Sequence, residues 1–155
     1  MKLNLGELAI TSSAFQQDQR MPTRHAADHE NVSPALAWSG VPADAGQLAL
    51  ICHDPDAPLA DGFTHWVLYN IPTNVTSLAE GQPNDAFLGG VNDAGSTGYF
   101  GPLPPQGHGT HHYYFHLYAI EPGVQLPAGL TRKQVLDLIA DHIITQARVV
   151  GVYSN

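Results

Sequence analysis

Basic residues are scarce in this chain. Six Lys and Arg stand against fourteen Asp and Glu in 155 residues, a formal net charge of −8 with His neutral. A field of that sign repels phosphodiester backbones and anionic bilayers, so nucleic acid is not an expected partner. There is one cysteine, Cys52, and an internal disulfide is therefore impossible. It stands inside an apolar run and reads as a packing residue. No stretch reaches the ~18 consecutive apolar residues of a membrane span. Met1 to Glu7 has a lysine but no continuous apolar core after it. A signal peptide is not expected, and a cytoplasmic location is. The sequence contains neither a His-Glu-x-x-His metal pair nor a Gly-x-Ser-x-Gly nucleophile elbow. It has no repeat, linker or low-complexity tract.

Turn formers and histidine are plentiful. Twelve prolines, fifteen glycines and 43% hydrophobic residues predict one domain over 1–155 with a real core, many turns and short strands. Leu48 to Cys52 is short, continuous and apolar, as a buried strand is. It stops at Asp54-Pro55-Asp56-Ala57-Pro58, because proline cannot donate to a ladder. Gly62 helps turn the chain, and His65 opens a second apolar run to Ile71. Earlier in the chain, Met1 to Ser13 alternates weakly as a first strand would, Phe15 to His29 reads as loop with room for contact with a strand, and Leu36 and Trp38 alternate as a short strand.

Thr73 to Gly101 reads as a long loop, of a kind often functional. Tyr113 to Ile120 is strongly β-prone. Alternation puts His111, Tyr113, Phe115, Leu117 and Ala119 on one face, with His112, Tyr114, His116, Tyr118 and Ile120 on the other. Thr131 and Gln134 make a capping-box pattern, and apolar residues at helical spacing predict a helix from Arg132 to about Thr145. Ala147 to Tyr153 closes as a strand. With no crossover helices, the fold class is mainly β: an antiparallel β-sandwich with a peripheral helix near the C-terminus and long Pro/Gly loops.

Polar groups recur where these strands end: Asp54, Asp56, His65, and His111 with Tyr113. If the strands are neighbours, these groups converge on a pocket of imidazole and phenol donors, and Gly101, Gly107 and Gly109 let backbone N–H groups approach a ligand. Such donors suit a phosphate or carboxylate. Taken singly, Asp-Pro-Asp is also a plain turn, a strand-end His is also a structural group, and Tyr113 is also core. Trp38 and Trp66 read as core, while His25, His29, His108, His112 and His142 read as surface or carry no assigned role.

Together, Asp54-Pro-Asp-Ala-Pro, Phe-Thr-His65-Trp-Val-Leu-Tyr-Asn, Gly101-Pro-x-Pro-Pro-x-Gly and His111-x-Tyr113 resemble the phosphatidylethanolamine-binding protein family, and more closely its bacterial Raf-kinase-inhibitor-like branch. Asn31 to Pro42 and the ending from Gly129 to Tyr153 share the likeness. The resemblance implies a β-sandwich with a small anion pocket formed by Asp54, Asp56, His65, His111 and Tyr113. The segment Gly101 to Pro105, with Pro104, forms one wall. It also implies a non-enzymatic binding module with no cofactor or metal. The expected ligand is a phosphate-bearing small molecule or phospholipid headgroup, the expected protein partner a kinase or protease, and the expected assembly a homodimer. The alternative from another class is a metal-dependent enzyme using the Asp and His cluster.

Two positions depart from the family pattern. His112 stands where an arginine, often ion-paired, is usual, and Leu103 where the bacterial branch has cysteine. The loop between Pro58 and His65 is short, which predicts an open mouth. The aspartates are expected to orient imidazoles, since a bare carboxylate repels phosphate.

Overall fold

The computed structural model describes residues 7–84 and 86–155. Along the chain come β1 (Ala9–Thr11), β2 (Gln19–Arg20), a 3-10 turn (Thr23–His25), β3 (Leu36–Ser39), β4 (Gln47–Asp54) and β5 (Phe63–Ile71). Then follow β6 (Ser77–Leu78), β7 (Leu88–Gly89), β8 (His111–Ile120), α1 (Arg132–Ile139) and β9 (Ile143–Tyr153). A six-stranded sheet has the order β2-β9-β8-β4-β5-β7, and a three-stranded sheet the order β1-β3-β6. Every pairing between these strands is antiparallel except β2 with β9.

All eight residues of β4 are buried because the strand is covered on both faces. Leu48, Leu50 and Cys52 pack inward with Ile10, Leu36 and Trp38 of the small sheet and with Phe115 and Leu117. Ala49 and Ile51 pack outward with Val67, Tyr69 and Ile120, beneath Val135 and Ile139 of α1. A continuous apolar run is what two covered faces require. The same division explains β8, where Tyr113, Phe115, Leu117 and Ala119 all enter the inner core. Trp38 and Trp66 belong to that core, as expected.

Several expectations need correction. The helix ends at Ile139, not near Thr145. Its capping box forms, with Gln134 N donating to Thr131 Oγ1 and Thr131 N donating to Gln134 Oε1. Ile143 keeps the helical apolar spacing, but it opens the β-branched run Ile143-Ile144-Thr145, which pairs with β8 at Ile120 and Ala119. The stretch expected as loop from Thr73 carries β6, β7 and a bridge between Val91 and Thr97. Of the first expected strand, residues 1–6 lie outside the described residues, and β1 covers Ala9–Thr11. His25, expected at the surface or without a role, is fully buried. Among the described residues no helix is long and apolar enough to cross a membrane.

Four buried or half-buried imidazoles resist protonation. Burial, then the Arg132 guanidinium, pushes His53 down to about 4. Burial, then Arg148, does the same to His116. Burial also lowers His25 and His65. Between the ordinary His value of 6.5 and these depressed values the unfolded chain binds more protons, so stability falls as pH drops through that window. Thermal melts from pH 7 to pH 4.5 should show Tm falling by several degrees, and His53→Gln with His116→Gln should flatten that slope. A flat wild-type profile would contradict this burial.

Candidate functional site

The ends of β4, β5 and β8 meet at one rim of the large sheet. Asp54, the last residue of β4, is 2% exposed, and both of its oxygens are engaged. Oδ1 accepts the Asp56 backbone N–H at 2.7 Å across Pro55. Oδ2 accepts Nδ1–H of His111, the first residue of β8, at 2.6 Å. This leaves His111 Nε2 to accept from His108 Nδ1–H at 2.7 Å.

His65 reaches the same place through a bulge. Cys52 pairs with Trp66, but His53 pairs with Thr64, so His65 is the extra residue of β5. A bulge lets consecutive side chains share a face. Trp66 enters the inner core while His65 lies against Tyr113, ring centroids 5.1 Å apart. His65 Nδ1–H donates to the Phe100 carbonyl at 2.6 Å. Burial lowers its affinity for a second proton, against an opposing pull from that carbonyl and from Asp54. Burial likewise raises the Tyr113 phenol far above its usual range, so it remains an O–H donor.

A cavity of about 380 Å³ opens here. Asp54, His65, His111 and Tyr113 form its polar end. Pro58, Leu59, Phe63, Phe100, Leu103, Pro104 and Pro105, with two alanines, form the rest. The short loop after Pro58 therefore still builds a wall, through Leu59.

Of the expected site residues, Asp54, His65, Pro104, His111 and Tyr113 line this cavity, and Asp56 and Gly101 do not. Asp56 turns outward. Its Oδ2 accepts from His112 at both the ring Nδ1–H, 2.7 Å, and the backbone N–H, 2.8 Å. Burial opposes ionisation of Asp56, yet these bonds hold its carboxyl below the usual range. The local ion pair that the change from arginine to His112 put in doubt is replaced here by the Asp56–His112 contact. Gly101 serves packing: its N–H is committed to Asn31 Oδ1 at 2.7 Å, and a Cβ there would collide with the His25 carbonyl oxygen. The Tyr99 hydroxyl also donates to that carbonyl, at 2.9 Å, so His25 and Asn31 brace the Phe100 wall from behind.

Sequence reasoning missed His108, Phe63, Phe100 and Leu59. His108 carried a usable signal, three residues before His111 between Gly107 and Gly109, whose φ angles are +77° and +90°. Phe63 stands in the quoted Phe-Thr-His65 motif, but only its ring contact with His65, centroids 4.7 Å apart, shows it as lining, and Phe100, 6.3 Å from His65, gave no signal because it comes from a distant segment. Among the described residues no three His, Cys, Asp or Glu side chains are grouped to hold a metal ion.

Three comparisons bear on identity. The family model for phosphatidylethanolamine-binding protein matches residues 11–154. A UPF0098 protein of Methanothermobacter thermautotrophicus is 42% identical over 93% of this chain and 97% of its own length. The crystal structure of Escherichia coli YbcL, described as a member of the mammalian PEBP family, superposes with a TM-score of 0.90 at 30% identity, covering 96% of this chain and 99% of that one. A Chlamydia trachomatis homologue, CT736, superposes with a TM-score of 0.88 at 36% identity, over 96% and 97% of the two chains. By sequence and by architecture, the chain belongs to the phosphatidylethanolamine-binding protein family.

Proposed function

We propose that the cavity is a receptor for a small anion, a phosphate or a phosphorylated headgroup, and that the protein acts as a binding module rather than an enzyme. One observation carries this reading: two buried imidazoles line the polar end, each with Nδ1–H committed to a fixed acceptor. In the neutral rings Nε2 holds a lone pair. Protonation turns each Nε2 into a charge-assisted donor beside the Tyr113 hydroxyl. Anion capture is therefore coupled to proton uptake. Asp54 does not confront the anion with a free carboxylate, because both oxygens are occupied. The net charge of −8 opposes capture, so affinity is modest.

Sulfate keeps its charge across the working range, so it isolates the titration of the protein. Calorimetry should find sulfate and phosphate both binding more tightly as pH falls from 8 to about 6, with protons taken up. Unchanged or weaker binding would remove the imidazoles as donors. Replacing Asp54 with Asn leaves one carbonyl oxygen for two donors. The amide then faces His111 Nδ1 and drives the proton to Nε2. Imidazole nitrogen NMR should show that tautomer change, with a stability loss of about 3 kcal/mol for the broken buried pair. A wild-type ring already protonated at Nε2 at pH 8 would contradict the assignment. Finally, His108→Ala frees His111 Nε2 and should raise sulfate affinity roughly two- to tenfold, the net worth of one hydrogen bond. A loss of affinity would make His108 a ligand contact instead.

A further inference from the structure

We infer that the ligand is an acid joined directly to an apolar body, namely an organic monophosphate with a short alkyl or aryl group, and that Leu59 and Leu103 select it. This rests on the anion-receptor reading and narrows it. The size of the cavity is the first argument. About 380 Å³ lies in the range that encloses a small organic molecule, more than a bare inorganic anion fills.

The distribution of chemistry is the second. The polar lining residues are clustered, Asp54 bonded to His111 and His65 against Tyr113, and Phe63, Phe100, Leu59 and Leu103 line the same cavity. Of the three most exposed large apolar side chains among the described residues, Leu59 (60%) and Leu103 (47%) both sit at this cavity. Scattered exposed leucines are ordinary, but two that line the same cavity as the buried imidazoles make an apolar collar beside a polar floor.

The cavity is also poorly furnished for a cation. A cationic group on the ligand, such as an ethanolamine ammonium, needs an anionic acceptor. Among the described residues Asp54 is the one carboxylate lining the cavity, and each of its oxygens already accepts a hydrogen bond, from Asp56 N–H and from His111. Asp56 is turned away and bonded to His112. An apolar body, by contrast, gains from covering the collar. At about 25 cal/mol per Å², roughly 60 Å² of covered apolar surface corresponds to about tenfold in affinity.

Calorimetry on the full chain with inorganic phosphate, phosphoethanolamine, butyl phosphate and butanol tests this. The inference expects butyl phosphate to bind at least tenfold more tightly than both inorganic phosphate and phosphoethanolamine. The Leu59→Ser, Leu103→Ser double variant should bring butyl phosphate and inorganic phosphate to within about twofold of each other. Both side chains are exposed, so the variant keeps the core; its melting curve checks this. Phosphate binding without an advantage for butyl phosphate, a preference for phosphoethanolamine, or an advantage that survives the double variant would each overturn the inference and leave the anion receptor standing. Failure of both phosphates to bind, or butanol binding as tightly as butyl phosphate, would overturn the anion receptor itself. Phosphatidylcholine vesicles containing phosphatidic acid distinguish the sources. Co-sedimentation together with butyl phosphate binding supports a lipid monophosphate, and butyl phosphate binding alone supports a soluble one.

Discussion

The buried contact between Asp54 and His111 governs the rest of the site. The two residues lie 57 positions apart and are each 2% exposed. A carboxylate so deeply placed is tolerable only when its lone pairs are answered. The answer comes from two directions: the Asp56 N–H turns the chain out of β4, and the His111 ring fastens β4 to the start of β8. One side chain thus ends a strand, closes a turn and sets the tautomer of a histidine. The strand pairing supplies proximity, and the carboxylate supplies orientation.

His65 is set by a different device with the same outcome. The bulge in β5 brings it to the inner face beside Trp66, and the Phe100 carbonyl fixes its ring. That carbonyl stays in place because the segment around it is braced by Asn31 and by the His25 backbone. Both imidazoles are therefore held through Nδ1 by partners that belong to the frame.

Much of the frame was legible in the sequence, because local rules and tertiary packing agree there. The run Leu48 to Cys52 is apolar without a break because two layers cover it. Alternation along β8 correctly put His111 and Tyr113 on one face. The helix start was legible through Thr131 and Gln134, while its end was not: Ile143 fits the helical period, and only pairing with Ile120 draws it into β9. Of the residues that line the cavity, Asp54, His65, Pro104, His111 and Tyr113 were legible, at strand ends or in a proline-rich wall. Asp56 and Gly101 occur in the same motifs, but they serve the turn and the packing behind the wall. Of the apolar lining the proline-rich wall was legible, while Leu59, Phe63 and Phe100 were not read as lining, because the turn before β5 and the segment after the long loop meet only in the folded chain. His65 was found by motif, yet its face follows from a bulge that strict alternation does not anticipate.

In the proposed receptor, a polar floor and an apolar collar divide the work of recognition between hydrogen bonding and burial. The floor is the part on which the account stands, and a crystal grown with phosphate addresses it directly. The account predicts phosphate density within hydrogen-bond distance of Nε2 of both His65 and His111, with the His108 ring displaced from His111. A well-occupied phosphate elsewhere on the surface, with this cavity empty and His108 still bonded to His111, would contradict it.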